Sequence, residues 1–510
     1  MKRTLVKNAA ILTVTSLILR TVGIFFRIYM SRAVGAGGMG LYQLIFSIYV
    51  LAATFASSGI STAVTRLVAD ELACGTKRSV LHVLRRSILV SVILGILSAG
   101  IVWASAEPIA AWWIKDVRAV PALKVLTVGL PFMGISSCLR GYFIAREKAA
   151  TPSRAQLLEQ VVRIAVTVIL IERWAPLGIG MACTAVIVGD TVAEIASCLY
   201  LGIGLGLDKK TLPKRGTGAT PVQGGVLRRL WRIAAPITAG RYLNTVLRTI
   251  ENMMVPACLT TFLASSAKAL AQFGMLKGMV MPLLFFPASF LSAVTTLLIP
   301  EMSRANTLGQ HRAIERAVKR SLQVTLVSSI LLGGLFTLFA RELGLLVYHD
   351  EEVGFLLRVL APLMPIMYLE SIVDGILKGL DQQASSLKYS VLDSVSRIAL
   401  IWLIVPRLGM GGFLFIMVLS NYLTCGLNLH RLLTVTGVSM EWSNWVIKPL
   451  IAIGALGAVT VLIRRIPPIG TLPSVVTVAA FGLACSVGYL LLMPALGCVS
   501  RADIPRRKRA

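Results

Sequence analysis

About fourteen apolar runs, most near twenty residues long, divide this chain of 510 residues, and only membrane-crossing helices can satisfy the backbone of all of them. The runs cover roughly 9–33, 41–65, 86–106, 121–144, 155–172, 178–206, 233–257, 273–299, 321–340, 355–377, 387–405, 411–429, 445–463 and 472–497. A mean hydropathy of +0.79 and only 15% charged residues agree with an all-α integral membrane protein. Pro131, Pro282 and Pro365 interrupt runs and read as kinks, which membrane helices tolerate beside cavities. The first run is too long for a cleavable signal and lacks a small-residue cleavage motif.

The net charge of +28 would suit nucleic acid, but the basic residues fall in short loops between apolar runs, so no nucleic-acid partner is expected. Counted with the N-terminus inside, about 32 Lys and Arg lie on the inner side against about 9 outside. That places both termini in the cytoplasm of a multi-pass cell-membrane protein. The tail Arg506-Arg507-Lys508-Arg509 reads as an anchor on acidic lipid. The four histidines are far apart and the eight cysteines are scattered, so neither a metal site nor a disulfide framework is expected.

The chain repeats itself at an ungapped offset of 234 residues. Leu84-Arg85-Arg86-Ser87 falls on Val318-Lys319-Arg320-Ser321, Pro131 on Pro365, and Arg163-Ile164-Ala165 on Arg397-Ile398-Ala399. Gly40, Gly141 and Gly178 fall on Gly274, Gly375 and Gly412. Six helices per repeat is an even number, so the halves point the same way, related by a pseudo-two-fold along the membrane normal. The expected organisation is a six-helix lobe at 1–206, a basic cytoplasmic linker at 207–232, and a second six-helix lobe at 233–440. Two extra helices and a basic tail follow at 441–510. Two lobes around a central cavity are the architecture of a secondary transporter.

Charges inside spans are costly, at roughly 2.5–3.5 kcal/mol at a helix centre, and so mark use. Arg20 and Arg27 stand seven residues apart on one helix face, with Gly23 between them to admit a close approach. Arg241 and Arg248 repeat that spacing in the seventh run. Paired arginines suit a diffuse anion such as phosphate. The alternative is separate neutralisation: Arg27 snorkels, Arg20 meets a carboxylate on another helix, and Glu251, three residues on, balances Arg248. Glu159 and Arg163, four apart, are matched in the second repeat by Asp393 and Arg397, and read as structural ion pairs. Arg140 and Asp374 are repeat equivalents of opposite charge, placed by the two-fold to bridge the inner side of the cavity as a gate. Glu370 lies near mid-depth. Asp190 and Glu194 share a face of the sixth run, either as protonation sites or as partners of the first helix.

These residues carry a family resemblance. Arg20-x-x-Gly23-x-x-x-Arg27 precedes Gly40-Leu41-Tyr42-Gln43, then Gly59-Ile60-Ser61-Thr62-Ala63-Val64-Thr65-Arg66. Arg140-Gly141-Tyr142-Phe143, Pro152, Glu159-Gln160, Pro287 and Leu298-Ile299-Pro300-Glu301-Met302-Ser303 follow in order. The set resembles the polysaccharide-exporter branch of the MOP superfamily (multidrug, oligosaccharidyl-lipid and polysaccharide exporters), and within it the stage V sporulation protein B group, related to the lipid II flippase. The resemblance implies fourteen helices, a cationic cavity and flipping of an undecaprenyl-pyrophosphate-linked glycan such as lipid II. The sequence has no Asp-x-Asp, no His-centred cluster and no large soluble domain, so neither enzymatic activity nor a cofactor is expected. In the related flippase the first-helix arginines are essential, and they match Arg20 and Arg27. Its basic residue in the second helix has no counterpart between Leu41 and Thr65. Coupling to membrane potential, H+ or Na+ and contact with cell-wall synthesis proteins are open expectations. The last two helices, with uncharged cores, offer either a groove for a polyprenyl tail or simple peripheral packing among lipids. The competing readings are a multidrug/cation antiporter of the same superfamily, which would use acidic cavity residues, and a non-transporting cell-wall scaffold.

Overall fold

Backbone that cannot bond to water must bond to itself, and among the described residues every regular element of this computed structural model is a helix. The structure describes residues 2–57, 59–74, 76–211, 225–289, 291, 302–464, 466 and 474–498. Nine stretches among them are long and apolar enough to cross a membrane. The first half runs α1 (Lys2–Ser57), α2 (Ile60–Cys74), α3 (Lys77–Ala104), α4 (Val120–Ala145), α5 (Ala150–Trp174) and α6 (Ile179–Asp208). The second runs α7 (Val226–Leu263), α8 (Ser266–Gly274), α9 (Met281–Phe285), α10 (His311–Leu338), α11 (Ala340–Tyr348), α12 (Glu351–Leu360), α13 (Met364–Gly379) and α14 (Gln383–Thr436), then α15 (Lys448–Arg464) and α16 (Ser474–Ala495).

Two of the apolar stretches are too long for one crossing, and each is broken at glycine. Gly35 takes φ 69° inside α1 and Gly409 takes φ 58° inside α14, a region open to glycine at little steric cost. The first break falls between the first and second expected spans, the second between the eleventh and twelfth. The run expected at 41–65 does not continue as one helix, because Gly59 adopts φ 72° between α1 and α2. Pro282 and Pro365 lie within continuous helical runs, each just after a change of helix type: Pro282 follows the π turn Met275–Val280, and Pro365 the 3-10 turn Ala361–Leu363. Pro131 lies inside α4. α5 and α7 fall outside the nine apolar stretches, and α5 alone carries Arg154, Glu159, Arg163, Glu172 and Arg173. Most of the expected 273–299 run after 289, most of the 207–232 linker and the Arg501–Arg509 tail lie outside the described residues.

The repeat is visible in the backbone. Lys115 (φ 58°) and His349 (φ 56°) are left-handed residues 234 positions apart, and so are Glu147 (φ 56°) and Asp381 (φ 60°). Asp116 and Asp350, the next residues after the first pair, both accept backbone N–H bonds at helix starts. Five non-glycine residues have positive φ among those described, so four of the five obey the offset.

Packing groups the chain into two compact units, 1–278 with 394–410, and 279–393 with 411–510. This differs from the lobe boundary expected at 206–233. The offset tracks sequence descent, whereas packing follows the faces that meet, and α7 and α8 meet α1. Thr249 Oγ1 donates to the Ser47 carbonyl at 3.4 Å and Asn252 Nδ2 to Ser47 Oγ at 3.0 Å. Gly40 and Gly274, repeat equivalents, approach each other so closely that a Cβ on Gly274 would strike the Ala36 carbonyl and Gly40 itself. Gly274→Val is therefore expected to cost about 1–3 kcal/mol by overpacking, read as a lower thermal midpoint of the detergent-solubilised chain. An unchanged midpoint would show that the contact yields.

The first unit centres on Val64, Leu67, Leu84, Leu139, Tyr142 and Leu201; the second on Val318, Leu322, Val373, Leu377, Leu432 and Trp445. Large apolar side chains such as Trp112 and Leu491 stay exposed, as hydrocarbon-facing residues do.

Candidate functional site

Small residues let three helices of the first unit bring their charges together. Gly189, one residue before Asp190, allows α6 onto the Arg163 carbonyl and Thr167 of α5. Gly141, one after Arg140, seats α4 against the Ser61 carbonyl, which a Cβ would approach to 2.6 Å. Glu159 of α5 then lies between two guanidinium groups. Arg140 Nη2 donates to its Oε2 at 2.7 Å and Arg163 Nη2 to its Oε1 at 3.0 Å. Arg163 Nε also contacts Asp190 Oδ1 at 2.6 Å, and its Nη1 donates to Gln160 Oε1 at 3.1 Å. Arg140 Nη2 reaches Ser197 Oγ at 3.2 Å and stands 3.9 Å from Glu194 Oε1.

The assembly holds three carboxylates and two guanidinium groups. Arg27, half-buried on α1, is close enough to act electrostatically on Asp190 and on the Tyr42 hydroxyl, which brings the formal sum to zero. Asp190 Oδ2 and Glu194 Oε1 are buried without a hydrogen bond among the described residues. In a water-poor interior such half-satisfied groups are where a proton or a small cation would be taken up.

A second group in the same unit has the opposite balance. Glu251 of α7 is buried, with Arg397 Nη1 at 3.3 Å and Lys277 Nζ at 3.6 Å, and Arg248 acts on it at longer range. Three cations thus converge on one carboxylate, and Arg397, Lys277 and Arg248 all retain solvent contact. Arg241 is exposed one face-turn away on the same helix, as is Arg20 on α1. Among the described residues, nothing outside its own helix lies within 4 Å of the Cβ position of Gly23, so the space beside it is open.

The charged residues singled out in the sequence make the following contacts. The Glu159–Arg163 pair forms; in the second repeat Arg397 contacts Glu251, and Asp393 accepts from Ser420 Oγ at 2.5 Å. Asp190 and Glu194, considered as partners of the first helix, find Arg163 and Arg140 instead. Glu251, expected to balance Arg248, bridges to Lys277 and Arg397. Arg140 is engaged with Glu159, and Asp374, expected to face it, binds Lys378 Nζ at 2.5 Å and Ser386 Oγ inside the second unit. Glu370 is half-buried one helical turn before Asp374. Among the described residues no group of His, Cys, Asp and Glu could hold a metal ion.

Charges sequestered among apolar helices, with one cluster neutral and one in cationic excess, define a multi-pass membrane protein with a polar interior. The chain belongs to the polysaccharide biosynthesis protein family, whose profile matches residues 5–306; the MatE profile matches 236–403. It is 24% identical over 509 residues to Stage V sporulation protein B of Bacillus subtilis (strain 168), covering 99% of this chain and 98% of that one. It is 23% identical over 430 residues to the lipid II flippase MurJ of the same organism, covering 78% and 77%. The fold matches a solved lipid II flippase MurJ in an inward closed conformation, with a TM-score of 0.70 at 12% identity over 97% of this chain and 99% of that one. It also matches an inward-facing multidrug resistance MATE transporter of the MOP superfamily, with a TM-score of 0.63 at 15% identity over 83% and 96%. The resemblance carried by the motifs, to the MOP superfamily and its stage V sporulation protein B group, agrees with these matches.

Proposed function

We propose that the protein is a flippase for a polyprenyl-pyrophosphate-linked glycan, with lipid II or a related cell-wall precursor as the cargo. The observation that carries this is the cationic excess around Glu251, where Arg248, Lys277 and Arg397 outnumber one buried carboxylate. A pyrophosphate cannot enter hydrocarbon without replacing its water and counterions, and several guanidinium and ammonium groups provide that replacement. Arg20, Arg27 and Arg241 extend the cationic lining. The names of the relatives, a lipid II flippase and a sporulation protein, favour the same class of cargo.

A groove of about 590 Å³ in the second unit is lined by Gly333 and Gly334 of α10 and by Ile453, Gly454, Gly457 and Val461 of α15. Gly454 and Gly457 leave room along the added helix, and the mostly apolar groove, with Arg341, Glu342 and Arg358 also lining it, suits a polyprenyl tail that never leaves lipid. The multidrug/cation alternative is disfavoured because its acidic residues stand beside guanidinium groups: Asp190 against Arg163, Glu159 against Arg140, with Glu194 3.9 Å from Arg140. Energy for export comes from the membrane potential at about 2.3 kcal/mol per charge per 100 mV, with H+ or Na+ uptake at Asp190 and Glu194 as the coupled step.

Reconstituted in liposomes, the protein is expected to move the headgroup of a lipid-linked pyrophosphate to the opposite leaflet, where an impermeant reagent reaches it. Cationic dyes should not compete. Translocation no faster than in protein-free vesicles would refute the flippase reading and leave a scaffold role.

A further inference from the structure

At the ends of α3 and α6 lies a second basic feature, unrelated to the intramembrane clusters. A cavity of about 670 Å³ is lined there by Lys77, Arg78, His82 and Arg85 of α3 and by Lys209 just beyond α6, with Leu81, Leu84, Ile88 and Leu205 as its wall. We propose that this cavity binds the headgroup of an anionic glycerophospholipid, with its phosphate among the cations and its chains against the leucine and isoleucine wall.

Three observations support this. The first is that the cations are unneutralised: none of Lys77, Arg78, Arg85 and Lys209 has a carboxylate partner among the described residues. Other basic residues of the same unit are paired, with Arg229 on Glu71 at 2.9 Å and Arg146 on Asp208 at 3.1 Å. Asp208, the immediate neighbour of Lys209, is fully occupied by Tyr142, Arg146, Lys148 and Thr211. The charge of Lys209 is therefore left for something outside the protein.

The second is the layering. Residues 77, 81, 84 and 88 follow one helix face, so at 1.5 Å per residue Ile88 stands about 16 Å further along α3 than Lys77. Cations at the helix end and apolar side chains two to three turns inward match the order of headgroup and acyl chain in one leaflet. A free anion would use the cations and leave the wall without purpose. The third is volume: the cavity exceeds what a phosphate ion fills and accommodates a headgroup with the first part of its chains. It lies at the end of the helices that the Lys and Arg distribution assigns to the cytoplasm, where anionic lipid is enriched.

The delipidated full-length chain in uncharged detergent tests this. Titration with phosphatidylglycerol is expected to raise the thermal midpoint saturably, while phosphatidylcholine and inorganic phosphate leave it in place. At about 1 kcal/mol per basic residue, combining Lys77→Gln, Arg85→Gln and Lys209→Gln should weaken the apparent affinity on the order of a hundredfold, with the lipid-free midpoint unchanged. Should the triple variant fail to fold, Lys209→Gln alone, exposed beyond the helix end, should weaken it about fivefold. Equal stabilisation of wild type and variant, or stabilisation by inorganic phosphate as strong as by phosphatidylglycerol, overturns the proposal. Stabilisation only by polyprenyl pyrophosphate would also overturn it, and would make the cavity an entry port for cargo. The outcome is independent of whether the chain flips lipid.

Discussion

Arg27→Ala is expected to reduce headgroup translocation at least about a hundredfold, because a charge-assisted contact to a buried anion is worth roughly 2–5 kcal/mol when one partner is truncated. Arg20→Ala should act in the same direction. Arg27 also balances Asp190, so its loss has two consequences: fewer cations for the cargo and an uncompensated carboxylate at the α5–α6 cluster. The variant should still insert and fold, since Arg27 is half-buried and makes no ion pair within 4 Å among the described residues. Arg27→Lys should recover part of the rate, keeping the charge and losing the planar fork. Wild-type rates from both alanine variants would remove the first helix from the site.

The largest structural effect is expected at Arg163. It touches Glu159, Gln160 and Asp190, and the Arg163→Ala variant leaves three carboxylates with Arg140 and, at longer range, Arg27. Removing one member of a buried ionic group costs about 3–5 kcal/mol, most of it the burden of the charges left behind. The measurement is the thermal midpoint and folded yield in detergent. Asp190→Asn added to Arg163→Ala should restore much of the loss, because it removes the orphaned charge, and the double-mutant cycle should show strong coupling. Additive losses would mean that Arg163 and Asp190 are neighbours without energetic contact.

The spans and the duplication were legible because hydropathy and a fixed offset survive without any knowledge of packing. Partner choice between helices was not legible. Sequence fixes a residue's depth along its helix, but not which neighbour its face turns toward. Arg140 and Glu159 stand on different helices, and it is the seating of Gly141 on α2 and Gly189 on α5 that brings them into contact. Glu251 and Arg397 are 146 residues apart, with similar uncertainty about depth, and no local pattern joins them.

Gly40 and Gly274 meet although each is the other's counterpart. In an assembly of two identical halves, a position that faces itself sits on the symmetry axis, and any side chain introduced there appears twice in the same place. Joining the halves in one chain lifts that doubling, and each half becomes free to vary alone. The acid-rich cluster on α4, α5 and α6 and the cation-rich one around Glu251 are the kind of inequality a strictly symmetric dimer could never hold. Ancestry as a self-pairing half-length protein would thus leave its mark at two glycines, while the descendant gained an interior with a direction.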